Sequence, residues 1–291
     1  MAGWRLKRMV GIDGDQIAYD ILGAGPPVVL AHGFPGNSFS WRRVAPLLAE
    51  HWRVHVFDMR GFGASDKHDG QSVSGEAQAR LLSRLIDHWE LDEPLMVAHD
   101  FGAAAALGAC LFEGRRYRRL VLIDAAVLNP CISANSRHVQ AHLDAYRTMP
   151  ARIYEQILRA HIPTTMYRTM DEETFEGYFA PWRGTEGQAA YFRFIGQFDE
   201  SYLDRIEQAL PRMATPTRIL WGGEDTWIPL DHGERLARLI PGATLHVIPR
   251  AGHFAMDDEP LAIAEVISTF LADGGMPLLR IAGAAAEADC P

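Results

Sequence analysis

Short apolar runs alternate with helical stretches as far as Ile123, and no other feature constrains the fold of this chain as strongly. Pro27-Val28-Val29-Leu30-Ala31, Arg53-Val54-His55-Val56-Phe57, Leu95-Met96-Val97-Ala98 and Leu120-Val121-Leu122-Ile123 read as strands, preceded by Ile17-Ala18-Tyr19-Asp20. Between them, Trp41 to Glu50, Ser74 to Glu90 and Gly102 to Phe112 read as helices. A strand that is apolar throughout must be covered on both faces, and a helix after each strand supplies the cover. The pattern therefore predicts an α/β fold with a mostly parallel central sheet flanked by helices.

The pattern changes after residue 126. From 127 to 212 no apolar strand appears; helical segments rich in aromatic residues and methionine take over, at Val139 to Thr148, Ile153 to Ala160, Glu172 to Phe179 and Gln188 to Gln197. Strands and helices then alternate again through Thr217 to Trp221, Asp231 to Ile240, Thr244 to Ile248 and Pro260 to Leu271. This predicts a core made of 1–126 and 213–275, an all-helical lid over 127–212, and a flexible C-terminal tail over 276–291.

A net charge of −9 with no sizeable Lys/Arg cluster argues against a nucleic-acid partner. The basic knot Arg115-Arg116-Tyr117-Arg118-Arg119 reads as a solvated helix end. Cys110, Cys131 and Cys290 are unpatterned, so neither a disulfide framework nor a zinc site is expected. No run approaches the roughly 18 apolar residues of a membrane span, and the N-terminus lacks the apolar core of a signal peptide. The expectation is a cytoplasmic monomer or homodimer without metal or cofactor, acting on a small hydrophobic molecule and water.

Open parallel sheets bind ligands beyond the C-terminal ends of their strands, so the polar residues that end each strand are the candidates. They are His32, Asp58, Asp100, Asp124, Asp225 and His253. A lone aspartate after a strand is ordinarily a turn or helix-cap residue. Asp100 differs in its context: Ala98-His99-Asp100-Phe101-Gly102 sets it between small residues, directly after a strand and directly before a helix. A carboxylate attacking an acyl carbon would form a mixed anhydride, a poor route to hydrolysis. Attack on a saturated carbon bearing a leaving group gives an ordinary ester instead.

With its elbow, its HGFPG loop, the DMRGFGASD stretch and the GGEDTWIP and AGHF segments, the chain resembles the α/β-hydrolase fold superfamily, in its aspartate-nucleophile branch of epoxide hydrolases and dehalogenases. The resemblance implies Asp100 as nucleophile, His253 as the base that activates water, and either Asp225 or Asp124 as the acid behind it, with Asp225 favoured. It implies an oxyanion hole from the backbone N–H groups of Phe34 and Phe101, with His32 fixing that loop beside the pocket. The pocket candidates are Tyr146, Tyr154, Trp182, Tyr191 and Trp227. Phe101 stands where haloalkane dehalogenases carry an indole donor for the halide, and neither Phe101 nor Ala104 can grip a haloacid carboxylate. Epoxide hydrolysis is thus the leading expectation and haloalkane (or haloacid) dehalogenation the alternative. A biosynthetic cyclase or lyase, or a binder of hydrophobic ligands, is the reading of another class.

Overall fold

Side chains alternate across a strand, so each apolar run feeds two cores at once. Val28, Leu30, Leu95, Val97, Val121 and Ile123 face one core, while Val29, Ala31, Met96, Ala98, Leu120 and Leu122 face the other. The computed structural model, which describes residues 3–272, arranges eight strands into one sheet. They are β1 (Arg8–Ile12), β2 (Asp15–Leu22), β3 (Pro27–Ala31), β4 (Arg53–Phe57), β5 (Leu95–His99), β6 (Leu120–Ile123), β7 (Thr217–Gly222) and β8 (Thr244–Ile248). The spatial order is β1-β2-β4-β3-β5-β6-β7-β8. β3 to β8 are mutually parallel; β1 pairs antiparallel with β2, and β2 antiparallel with β4.

Three helices follow the first strands: α1 (Ala45–Leu48), α2 (Gly75–His88) and α3 (Phe101–Leu111). Six lie between β6 and β7: α4 (Ala134–Ala141), α5 (Leu143–Arg147), α6 (Ala151–His161), α7 (Glu172–Phe179), α8 (Gly184–Gln197) and α9 (Glu200–Ala209). The last three are α10 (Leu230–Leu239), α11 (Ala255–Asp258) and α12 (Pro260–Ala272). Leu81, Leu82 and Leu85 of α2 and Ala103 to Leu107 of α3 cover one sheet face. Ala45 and Leu48 of α1 with Ile263 and Ile267 of α12 cover the other.

Several segments differ from the sequence reading. β1 carries an exposed edge and no continuous apolar run, so it lacks the signal that marks the buried strands. The helix expected over Trp41 to Glu50 is a 3-10 turn at Ser38–Trp41 followed by α1. The helix expected over Val139 to Thr148 is two, α4 and α5, broken at His142. The expected tail over 276–291 lies outside the described residues. Arg115 and Arg116 of the basic knot pair with Asp87 and Glu93 at the surface. Among the described residues no helix is long and apolar enough to cross a membrane.

Candidate active site

β5 ends in the small-residue elbow, and Asp100 there takes φ 49° and ψ −121°, a backbone conformation costly for a residue with a side chain. Close packing enforces the turn. A Cβ on Gly102 would lie 2.4 Å from the His32 carbonyl oxygen, and one on Gly33 would lie 2.4 Å from Asp100 Cβ. Only glycines let α3 and the β3 loop approach from the two sides. The Asp100 side chain is thereby held against the loop: the Phe34 N–H donates to Asp100 Oδ2 at 2.7 Å. Burial pushes the Asp100 pKa up, yet His253 and the Phe101 amide outweigh it and hold the carboxyl below its ordinary value.

His253 sits in the loop after β8, which is stitched to the loop after β7 by the amides of Gly223 and Glu224, donating to Ile248 and Ala251 carbonyls. Its Nδ1 lies 2.9 Å from Asp225 Oδ2, and its Nε2 lies 3.5 Å from Asp100 Oδ1. Asp225 Oδ1 accepts from the amides of Trp227 (2.7 Å) and Ile228 (3.0 Å), so both carboxylate oxygens are engaged. Burial lowers the His253 pKa, but Asp225 and Asp100 carry it well above its ordinary value. Neutral His99, with pKa lowered to about 4 chiefly by burial, donates from Nε2 to the His253 carbonyl at 2.9 Å.

Asp124 is placed differently. Its Oδ1 accepts from the Gly222 amide at 2.7 Å and its Oδ2 has no partner. Burial and the neighbouring Asp225 raise its pKa well above its ordinary value, and its bond to the Gly222 amide braces β7. Of the two acids expected behind His253, the structure sets Asp225, the favoured one, against Nδ1 and turns Asp124 to the Gly222 amide.

A cavity of about 510 Å³ opens above Asp100. Phe34, Phe101, Phe192, Phe194 and Phe198 line it with Tyr146, Tyr191 and Trp227, and no lysine or arginine does, among the described residues. Three expected pocket residues are not among its lining. Tyr154 is buried inside the lid, its hydroxyl donating to the Trp182 carbonyl at 3.2 Å. Trp182 is fully buried, its indole N–H on the Pro35 carbonyl at 2.8 Å, where it ties the lid to the loop after β3. His32 is buried beneath that loop, its Nε2 accepting from the Met59 amide (2.9 Å) and its Nδ1 3.0 Å from the Gly33 carbonyl. In each case a polar group in the interior needs a partner, and the nearest partner is protein rather than ligand.

The sequence reading missed Cys131, Asn135, His161 and Thr164, all in the cavity wall. His161 carried a signal, since Tyr154, Leu158 and His161 share one face of α6 at i, i+4, i+7. A second anchor was also missed: the Tyr178 hydroxyl donates to Asp257, whose Oδ1 lies 2.6 Å from Arg42 Nη2.

The α/β hydrolase fold family matches residues 26–260. The chain belongs to this family. This α/β hydrolase is 37% identical to an α/β hydrolase fold protein of Burkholderia ambifaria, whose crystal structure superposes with a TM-score of 0.88 over 91% of this chain and 97% of that one. It is 30% identical over 275 residues to the 2-hydroxy-6-oxo-2,4-heptadienoate hydrolase of Pseudomonas putida, covering 92% of this chain and 96% of that protein. A haloalkane dehalogenase of Agrobacterium tumefaciens shares the fold at a TM-score of 0.78 and 21% identity, over 91% of this chain and 95% of that one. Among the described residues no group of three or more His, Cys, Asp or Glu is placed to hold a metal ion.

Proposed function

We propose that this α/β hydrolase opens epoxides of neutral, hydrophobic substrates, with Asp100 as nucleophile and His253 as the base for a second, hydrolytic step. The observation that carries the reading is the position of the Asp100 carboxylate. Oδ2 already occupies the backbone donor site of Phe34, which leaves Oδ1 as the attacking atom. Oδ1 attacks a ring carbon, the carbon–oxygen bond breaks, and the alkoxide takes a proton from a lid tyrosine to give a hydroxyalkyl ester of Asp100. His253 Nε2 then removes a proton from water, and the resulting hydroxide attacks the ester carbonyl. The negative charge develops on Oδ2, where the Phe34 and Phe101 amides receive it. The ester collapses and the departing diol oxygen takes the proton from His253; the Asp100 carboxylic acid left behind releases the second water proton, which restores the lid tyrosine, and one water oxygen remains in the Asp100 carboxylate.

The lid supports epoxide over halide as the leaving group. Tyr146 and Tyr191 line the cavity, and their hydroxyls make no hydrogen bond among the described residues. Burial raises the Tyr191 pKa, so it stays protonated and remains a donor. A departing halide needs N–H donors beside the nucleophile, yet Phe34 and Phe101 offer rings there. The indoles of Trp182 and Trp227 are committed to Pro35 and to Thr164 Oγ1. The Pseudomonas putida relative is named for a dienoate; a carboxylate would meet no cation in this cavity and would face Asp100. These features favour a neutral substrate.

The test is turnover of a panel of aryl and alkyl epoxides and haloalkanes in heavy-oxygen water, following diol, halide and the mass of the Asp100 peptide. Diol release with label entering Asp100 over repeated turnovers is expected. Turnover without label would overturn the ester mechanism, and halide release without epoxide opening would overturn the substrate class.

A further inference from the structure

The indole of Trp227 is stacked between two histidines. Its ring lies 5.4 Å from the His253 ring at an interplanar angle of 12°, and 4.6 Å from the His161 ring at 22°. Two hydrogen bonds fix it there. Its amide donates to Asp225 Oδ1 at 2.7 Å, and its indole N–H donates to Thr164 Oγ1 at 2.9 Å. Thr164 follows α6 of the lid, and the next residue, Thr165, accepts the Phe254 amide at 2.8 Å, one position beyond His253. One residue thus touches the acid through its backbone, and the base and the lid through its side chain.

We propose that Trp227 is a positioning residue for the hydrolytic step: it holds the His253 imidazole in plane, stabilises its protonated form through the indole π face, and ties that support to the seated lid through Thr164 and His161. The proposal rests on the reading of His253 as the base. An imidazolium forms when His253 takes the water proton, and a parallel aromatic face within 6 Å of it is attractive to that cation. The second neighbour does not oppose this: burial lowers the pKa of His161 and favours its neutral form. The other groups facing His253 are Asp225 from the loop after β7, Asp100 from the elbow, Asp124 from the end of β6 and His99 from β5. Asp225 and Asp100 also favour its cation, so the indole adds to their effect; Phe254 covers the ring at 5.8 Å.

The experiment is a histidine-resolved NMR titration of the full chain without substrate, the His253 signal being assigned by its loss in His253→Gln. Trp227→Leu keeps bulk without a π face, and the His253 midpoint should fall by about half to one and a half pH units. Trp227→Phe should retain most of the native midpoint. Thr164→Val, which leaves the indole but removes its acceptor, should give a smaller fall in the same direction. In turnover, Trp227→Leu should lower kcat about three- to tenfold and move its acid limb to lower pH, while Trp227→Phe keeps the limb in place. An unchanged midpoint in folded Trp227→Leu overturns the proposal, and an unchanged midpoint in Thr164→Val removes the lid from it. Because the titration needs no substrate, failure of every epoxide to turn over counts against the reaction alone.

Discussion

Replacing His253 by glutamine separates the two chemical steps of the proposed reaction. Alkylation needs the ionised Asp100 carboxylate and the lid tyrosine but no base, and Asp100 Oδ1 has no hydrogen-bond partner closer than His253 Nε2 at 3.5 Å. Hydrolysis of the ester needs a base, and glutamine has none. Loss of a positioned base lowers a rate by roughly 10²- to 10⁴-fold, or about 3 to 5 kcal/mol of barrier at 1.36 kcal/mol per tenfold. Glutamine is preferred to alanine because the Asp225 side chain is fully buried, and deleting its partner would leave the buried Oδ2 without a donor. The variant should therefore fold, consume about one equivalent of epoxide per chain, and stop. Intact-protein mass spectrometry should show the mass of the substrate added, and fragmentation should place it on Asp100. If the native protein turns the epoxide over rapidly while the variant keeps an unmodified mass, the covalent scheme is wrong. Full steady-state turnover by the variant would equally remove His253 from the mechanism.

Asp225→Asn should lower turnover by roughly 10³-fold or more, since the amide cannot stabilise the imidazolium. Asp124→Asn is a near-isostere at a side chain that bonds the Gly222 amide rather than His253, and should cost less than about tenfold; the reverse ranking in steady-state kinetics would reassign the acid. Tyr191→Phe and Tyr146→Phe should each slow epoxide consumption in a single turnover, the larger loss, roughly 10²-fold, marking the proton donor; a double variant with native rates would exclude both. Stability should fall on both sides of neutrality in thermal melts. His55 and His99 are held neutral by burial, with pKa values of about 4. The unfolded chain therefore binds more protons between pH 4 and about 6.5, and stability rises with pH across that window. His253 has a folded pKa above its unfolded value, so its contribution is complete below about pH 6.5 and fades as pH rises through the folded pKa. A melting temperature flat from pH 4 to 6.5 would contradict the burial of His55 and His99.

The sheet and the order of its strand-end polar residues were legible because both are local. Covered strands must be apolar throughout, and a nucleophile elbow must have small residues around a tight turn, whatever the rest of the chain does. Asp100 and His253 follow from that. The choice between Asp225 and Asp124 does not, since both end strands in the same sheet. The choice rests on which carboxylate reaches His253 Nδ1 and which turns to the Gly222 amide. The lid was less legible still. Tyr154, Trp182, Tyr191 and Trp227 are all amphipathic rings in apolar surroundings, and sequence gives them equal standing as pocket residues. Tertiary packing divides them: Trp182 meets a carbonyl 147 residues away, Tyr154 meets Trp182, and Tyr191 is left facing the cavity. A buried donor takes whatever acceptor the fold brings within about 3 Å, and that acceptor is set by contacts between distant segments. The sequence by itself thus determined the architecture and the placing of Asp100 on the elbow, while the tertiary structure decided which groups remain free to meet a substrate.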